Sequence, residues 1–280
     1  MKWQGRRGSS NIEDRRRMGG GGAAIGGAGG VGVLAIVLIG YFLGVDLTPL
    51  LNGGAGGTIQ SGPVEITEAD EQAAQFAKVT LADTEEVWAG IFRDQLGQEY
   101  QPTTLVLFKG AVQSGCGGAS AQTGPFYCPA DQRVYLDTDF FLLMDRQLGA
   151  GGDFAAAYVV AHEVGHHVQD LLGILSEAQR GRQQGADSAA VRVELQADCF
   201  AGVWAYFAQN QLGTLEQGDI EEALNAAERI GDDTLQREAG QAVRPDSFTH
   251  GTSEQRERWF YIGFRSGDIG QCDTFRATTL

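Results

Sequence analysis

The residues best equipped for chemistry lie in one short run, Tyr158-Val-Val-Ala-His162-Glu163-Val164-Gly165-His166-His167. His162 and His166 are four apart, so on a helix their imidazoles leave the same face, one turn from each other. A single tetrahedral zinc ion can take a nitrogen from both. Glu163, the next residue along, falls beside such an ion rather than on it. From there it can act as base toward a zinc-bound water that the metal has already acidified. The apolar stretch before His162 would bury the helix around the pair. Gly165 costs about 1 kcal/mol of helix propensity relative to Ala, which a close approach of another backbone or of substrate would explain. The chain has four histidines and three of them sit in this run, so a chance match is a weak explanation.

Catalytic zinc usually has three protein ligands and one water. Glu194, in Glu194-Leu-Gln-Ala-Asp198, is the third candidate. Alone it would read as a helix-surface carboxylate; in an E-x-x-x-D pattern downstream of H-E-x-x-H it reads as a ligand. Asp198, one turn on, is placed to accept a hydrogen bond from the outer nitrogen of a ligand histidine and so fix its tautomer. His167 points about 100° away from the ligand face and is expected to support or pack. His250 has two readings: a loop residue capping the helix that begins near Ser253, or a donor to the oxyanion of a tetrahedral intermediate. Asp232 and Asp233, after Ile230-Gly231, read as solvated turn residues.

The elements that must position these groups are mostly helical. Thr67 is a natural N-cap, with acidic residues in the turn after it. Asp153 caps a helix running through Gln169, and further helices are predicted over Asp187 to Asn210, Asp219 to Ile230 and Ser253 to Phe264. Phe140 to Leu148 also looks helical. Thr103 to Lys109 and Arg133 to Thr138 read as short strands, with a Gly-rich loop between them. A few strands among dominant helices predict an α+β domain over 64–280.

The N-terminal part is different in kind. Residues 1–22 are basic and Gly-rich, with Lys2, Arg6, Arg7, Arg15, Arg16 and Arg17 against Glu13 and Asp14. No charge occurs between Arg17 and Asp46, and residues 23–45 are apolar enough for one bilayer crossing. Arginine lies only on the N-terminal side, which predicts a cytoplasmic tail and an external or periplasmic domain, held by a single-pass anchor in the bacterial inner membrane. A cleaved signal peptide is the competing reading, but no A-x-A-like site follows. Gly26 and Gly30 form a weak G-x-x-x-G pairing motif. Residues 46–63 are a Gly-rich linker. The chain as a whole carries −15, and the domain is more acidic still, which excludes a nucleic-acid partner. Cys116, Cys128, Cys199 and Cys272 form no C-x-x-C pair, so they do not read as a structural zinc site. In an exported domain two disulfides are expected: Cys116 with Cys128 across the short loop, and Cys199 with Cys272 by elimination. In a cytosolic domain the four would be buried thiols.

Four blocks, Gly124–Thr138, His162–Asp170, Glu194–Tyr206 and Phe248–Arg258, occur in an order that resembles the bacterial neutral zinc metallopeptidases. The similarity spans about Val64 to Cys272, together with the N-terminal anchor arrangement. It implies a zincin-like fold of the glutamate-ligand group, one Zn2+ on His162, His166 and Glu194, and Glu163 as base. It also implies that the strand around Val134-Tyr-Leu-Asp borders the cleft, where extended substrate would pair with an edge. The expected function is a membrane-anchored zinc endopeptidase acting on a peptide or protein. A non-catalytic zinc-bearing scaffold that binds peptides at the envelope is the alternative from another class, and a hydrolase of non-peptide amides is a third. An intact Glu163 speaks against the scaffold, which has no use for that carboxylate.

Overall fold

The computed structural model describes residues 1–18, 65–120, 123–141, 144 and 151–280. The first long helix, α1 (Glu68–Ile91), starts where the sequence says it should. Thr67 accepts from the Asp70 amide, and the Asp70 carboxylate reaches back to the Thr67 amide, a reciprocal cap. A π-turn at Phe92–Leu96 ends it at Gly97, and the chain then enters the sheet.

That sheet has four strands: β1 (Ile12–Asp14), β2 (Thr104–Phe108), β5 (Phe126–Cys128) and β6 (Arg133–Asp137), in the order β1-β2-β6-β5. β1 and β2 run parallel, as do β2 and β6, while β5 is antiparallel to β6. β2 and β6 are buried almost throughout, as strands covered on both faces should be. The Gly-rich loop between them is partly ordered as a hairpin, β3 (Ala111–Ser114) with β4 (Gly117–Ser120). Alternating apolar periodicity is absent there, so the hairpin has no signal in the sequence.

Helices follow: α2 (Asp153–Leu171), α3 (Ile174–Ala178), α4 (Ala189–Asn210), α5 (Asp219–Arg229), α6 (Asp232–Glu238) and α7 (Ser253–Ser266). α2 is the central one. Its residues from Phe154 to Gly165 are all buried, with α1, α4 and α5 packed around it. Phe154 stacks on Trp204 of α4 at 5.6 Å, both fully buried. Each such ring contributes about 1.5–3 kcal/mol by leaving water. α4 also crosses α7 with almost no space between backbones. Gly202 faces the Phe260 carbonyl and Gly263 faces the Cys199 carbonyl, and a Cβ on either would collide with main chain. Cys199 and Cys272 lie at bonding distance with Cα atoms 5.6 Å apart, and Cys116 and Cys128 at 5.8 Å. Both expected pairings are therefore present.

The domain is mixed α and β, about half helical, with a small four-stranded sheet and a two-stranded hairpin. Two expectations need amendment. Residues 1–18, expected in a tail apart from the domain, are folded onto it: β1 completes the sheet, and Arg16 is only 4% exposed. Asp153 is the first residue of α2 rather than its cap, which is Gly152. No helix among the described residues is long and apolar enough to cross a membrane. The anchor expected at 23–45 and the linker at 46–63 lie outside the described residues, as does most of the helix expected at Phe140 to Leu148.

Candidate metal centre

α2 and α4 each present one turn of polar residues to the other in an otherwise apolar contact. On α2, the His162 and His166 rings lie 4.7 Å apart and nearly perpendicular. From α4, one Glu194 oxygen comes to 3.2 Å from His162 Nε2 and the other to 3.6 Å from His166 Nε2. Ligand-capable atoms of all three residues fall within 4.8 Å of one another. The helices can come this close because Gly165 lies against Ala197, with the Ala197 carbonyl oxygen 3.1 Å from where a Cβ would be. Of the two explanations for Gly165, the neighbouring backbone is the one realised.

The outer nitrogens of both histidines are tied down. His162 Nδ1 lies 2.8 Å from Asp198 Oδ1, as the E-x-x-x-D spacing suggested. His166 Nδ1 lies 2.8 Å from Gln169 Oε1, and Gln169 Nε2 donates to the Val193 carbonyl and to Gln196. Each Nδ1 therefore donates outward, leaving each Nε2 on the side that faces Glu194. Two imidazole nitrogens and a carboxylate are a borderline-soft donor set suited to zinc, and three ligands leave a position open. The residues present fit that ion.

Asp198 is wholly buried and takes more than one hydrogen bond. Tyr158 donates to Oδ1 at 2.5 Å, and Arg256 of α7 donates through Nε and Nη2 at 2.8 and 2.9 Å. Burial opposes its charge, but the Arg256 guanidinium and His162 hold its carboxyl below the usual range. His162 shows the other half of the coupling. Burial disfavours its cation, yet the Asp198 charge and hydrogen bond, with Glu194, raise it to about 10. Glu194 is likewise held well below the usual carboxylate range, against burial, by His166 and His162. The pocket stabilises positive charge between these groups, which is what a dication there requires.

Glu163 is buried beside this cluster. Burial raises its carboxyl, opposed by His166 and His162, and the Tyr127 backbone amide on β5 donates to it. β5 is thus a strand at this carboxylate. β6, which carries Val134, is enclosed between β2 and β5, so the edge strand on this side of the sheet is β5. His167 fastens that edge to α2. Its Nε2 donates to the Gln101 carbonyl at 2.7 Å, and its Nδ1 lies 3.2 Å from the Tyr127 hydroxyl, which donates to Asp170.

His250 lies near enough to Glu194 for each to feel the other's charge. It also caps nothing, since α7 is capped by Thr252. Its Nδ1 lies 2.9 Å from Thr249 Oγ1 and 3.3 Å from Asp232 Oδ1. Asp232 is not a solvated turn residue. It is 3% exposed, and its Oδ2 accepts the amides of Thr249, His250 and Gly251. Sequence reading missed Asp232, Arg256, Gln169, Tyr158 and Tyr127. For Asp232, Arg256 and Tyr127 the distances in sequence from the histidines left no spacing to find, whereas Tyr158, four residues before His162, and Gln169, three after His166, lie on the same helix. A second carboxylate group, Asp153, Asp219 and Glu222, occurs elsewhere. It surrounds the Met1 amino nitrogen, 2.8 Å from Asp153 and 3.2 Å from Asp219, which offsets part of its charge.

Residues 1–275 match the family described as "Putative neutral zinc metallopeptidase". The chain belongs to that family. It is 51% identical to the protein named uncharacterized YpfJ of Escherichia coli K12, over 98% of this chain and 99% of the relative. It is 49% identical to the uncharacterized protein Rv2575 of Mycobacterium tuberculosis H37Rv, over 65% of each chain. No solved structure matches it. The family supports a zinc peptidase, and the match to it begins within the docked segment 1–18.

Proposed function

We propose that this protein is a zinc-dependent endopeptidase with a zincin-like catalytic arrangement, holding one Zn2+ on His162, His166 and Glu194. The observation that carries the reading is the convergence of those three side chains, from two helices, beside the buried carboxylate of Glu163. Zinc bound there supplies Lewis acidity toward a scissile carbonyl and lowers the pKa of water.

The chain's own residues supply the rest. Glu163 takes the proton of the attacking water and passes it to the leaving amine, a task suited to a carboxyl raised by burial. His250, its Nδ1 directed to Asp232, is free to donate from Nε2 to the developing oxyanion. The Tyr127 amide faces Glu163, so the outer edge of β5 passes the base. An extended peptide adding to that edge would run its backbone alongside Glu163. This favours a peptide substrate over a small amide, because a free strand edge recognises main chain.

The test is to measure zinc content and cleavage of a diverse peptide library, with and without chelator, for the wild type and Glu163→Gln. The variant is expected to keep stoichiometric zinc and lose at least about 100-fold in cleavage. Equal rates would remove Glu163 as base, and a zinc-loaded wild type that cleaves no peptide would favour the scaffold.

A further inference from the structure

The segment before the apolar stretch behaves as part of the catalytic domain. β1 pairs with β2 in register, Ile12 opposite Leu105 and Asp14 opposite Leu107. The main chain is bonded on either side as well: Ser9 to the Lys78 carbonyl, the Asn11 carbonyl to Leu105, and Arg15 to the Leu107 carbonyl. Trp3 packs edge-on against Phe76 of α1 at 5.4 Å. Three of the six basic residues that made this segment look like a cytoplasmic tail, Arg6, Arg15 and Arg16, have partners on the rest of the fold. Arg6 pairs with Asp83, and Arg16 with Asp14 and Glu71. Arg16 also donates to the Asp70 carbonyl at 3.0 Å, which holds the end of this segment against the first turn of α1.

A single crossing of a bilayer by residues 23–45 would put residues 1–18 and the domain on opposite sides, where none of these contacts can form. A second crossing would need about 20 more apolar residues, and 46–63 contains Asp46, Pro49, Pro63 and many glycines instead. Removal of the N-terminus by signal cleavage would strip a strand from the sheet. We propose that residues 1–18 and 65–280 lie on the same side of any membrane the protein meets, so that the chain is not a single-pass protein with its N-terminus across the bilayer from the domain.

The experiment uses the full chain in intact bacterial cells. Ser10→Cys and Gln211→Cys, both exposed positions, are made separately and probed with a membrane-impermeant maleimide before and after permeabilisation, against the unsubstituted chain as background. The same protection pattern at both positions supports the inference; opposite patterns overturn it, as does a mature chain that has lost residues 1–18. Independently, Glu13→Cys with Arg133→Cys places thiols where Glu13 and Arg133 now pair at 2.8 Å. A short bismaleimide should join them in cells, detected by altered gel mobility after a protease cut between them. Failure to join them, with both thiols shown to be reactive, overturns the docking on which the topology rests.

Discussion

Gln169 shows how much of the candidate site depends on residues that are not themselves donors to a metal. It is fully buried; its oxygen faces His166 Nδ1 and its amide nitrogen is held by Val193 and Gln196. Gln169→Leu keeps the volume and removes the acceptor, so His166 loses the bond that fixes its tautomer. Zinc affinity should fall about 10–100-fold, and metal-free stability by about 1–3 kcal/mol, since the Gln196 side-chain oxygen and the Val193 carbonyl lose the Gln169 donor. A competitive titration with a chromophoric chelator measures the first, urea unfolding the second. Unchanged affinity with lowered stability would show that Gln169 serves only the fold. His162, Glu163, His166, Glu194 and Asp198 could be picked out from sequence because a helix converts spacing of three and four into adjacency. Arg256 and Asp232 could not, because their partners Asp198 and His250 come from other elements, and a lone Arg or Asp in a helical turn reads as solvated.

Between elements, the decisive contact is that of α2 with α4, since it brings Glu194 to the histidines. Gly165 sets their separation through its approach to Ala197. Gly165→Val would place branched carbon against the Ala197 carbonyl and force the helices apart. A shift of a fraction of an ångström is enough to spoil ligand distances. Peptide cleavage should drop well beyond the loss in overall stability, which overpacking puts at about 1–3 kcal/mol. Zinc affinity read beside circular-dichroism melting separates the two; a variant that melts lower but binds zinc as tightly as wild type would show that the helix separation does not set the site. The helices themselves could be read from sequence because caps and apolar periodicity are local. β5 could not, being three residues long, and neither could the choice of which strand forms the edge. That choice rests on strand order, which only long-range pairing decides.

At the scale of the molecule, the N-terminal segment that reads from sequence as a separate tail is folded onto the domain. Six cations before an apolar run match the pattern of a membrane anchor, while the acidic groups that take up Arg6 and Arg16, Asp83 and Glu71, lie beyond the apolar run and the linker. The cysteines point the other way, since their sequence pattern did foreshadow the pairing. The two pairs differ in what they join. Cys116–Cys128 closes a separation of 12 within the β-hairpin region. Cys199–Cys272 spans 73 residues and ties the buried middle of α4 to the turn at Ile269–Cys272, where the Cys272 carbonyl also accepts from Gln196 beside the metal centre. Loop-closure entropy assigns the longer link about 4 kcal/mol and the shorter about 3 kcal/mol. The core position of the longer one adds the cost of two vacated buried sites. Replacing Cys199 and Cys272 together by Ala should therefore lower the urea midpoint more than replacing Cys116 and Cys128. It should also weaken zinc binding, because α4 carries Glu194 and Asp198. The reverse order of midpoints would mean that the hairpin, not the helical core, limits the stability of the fold.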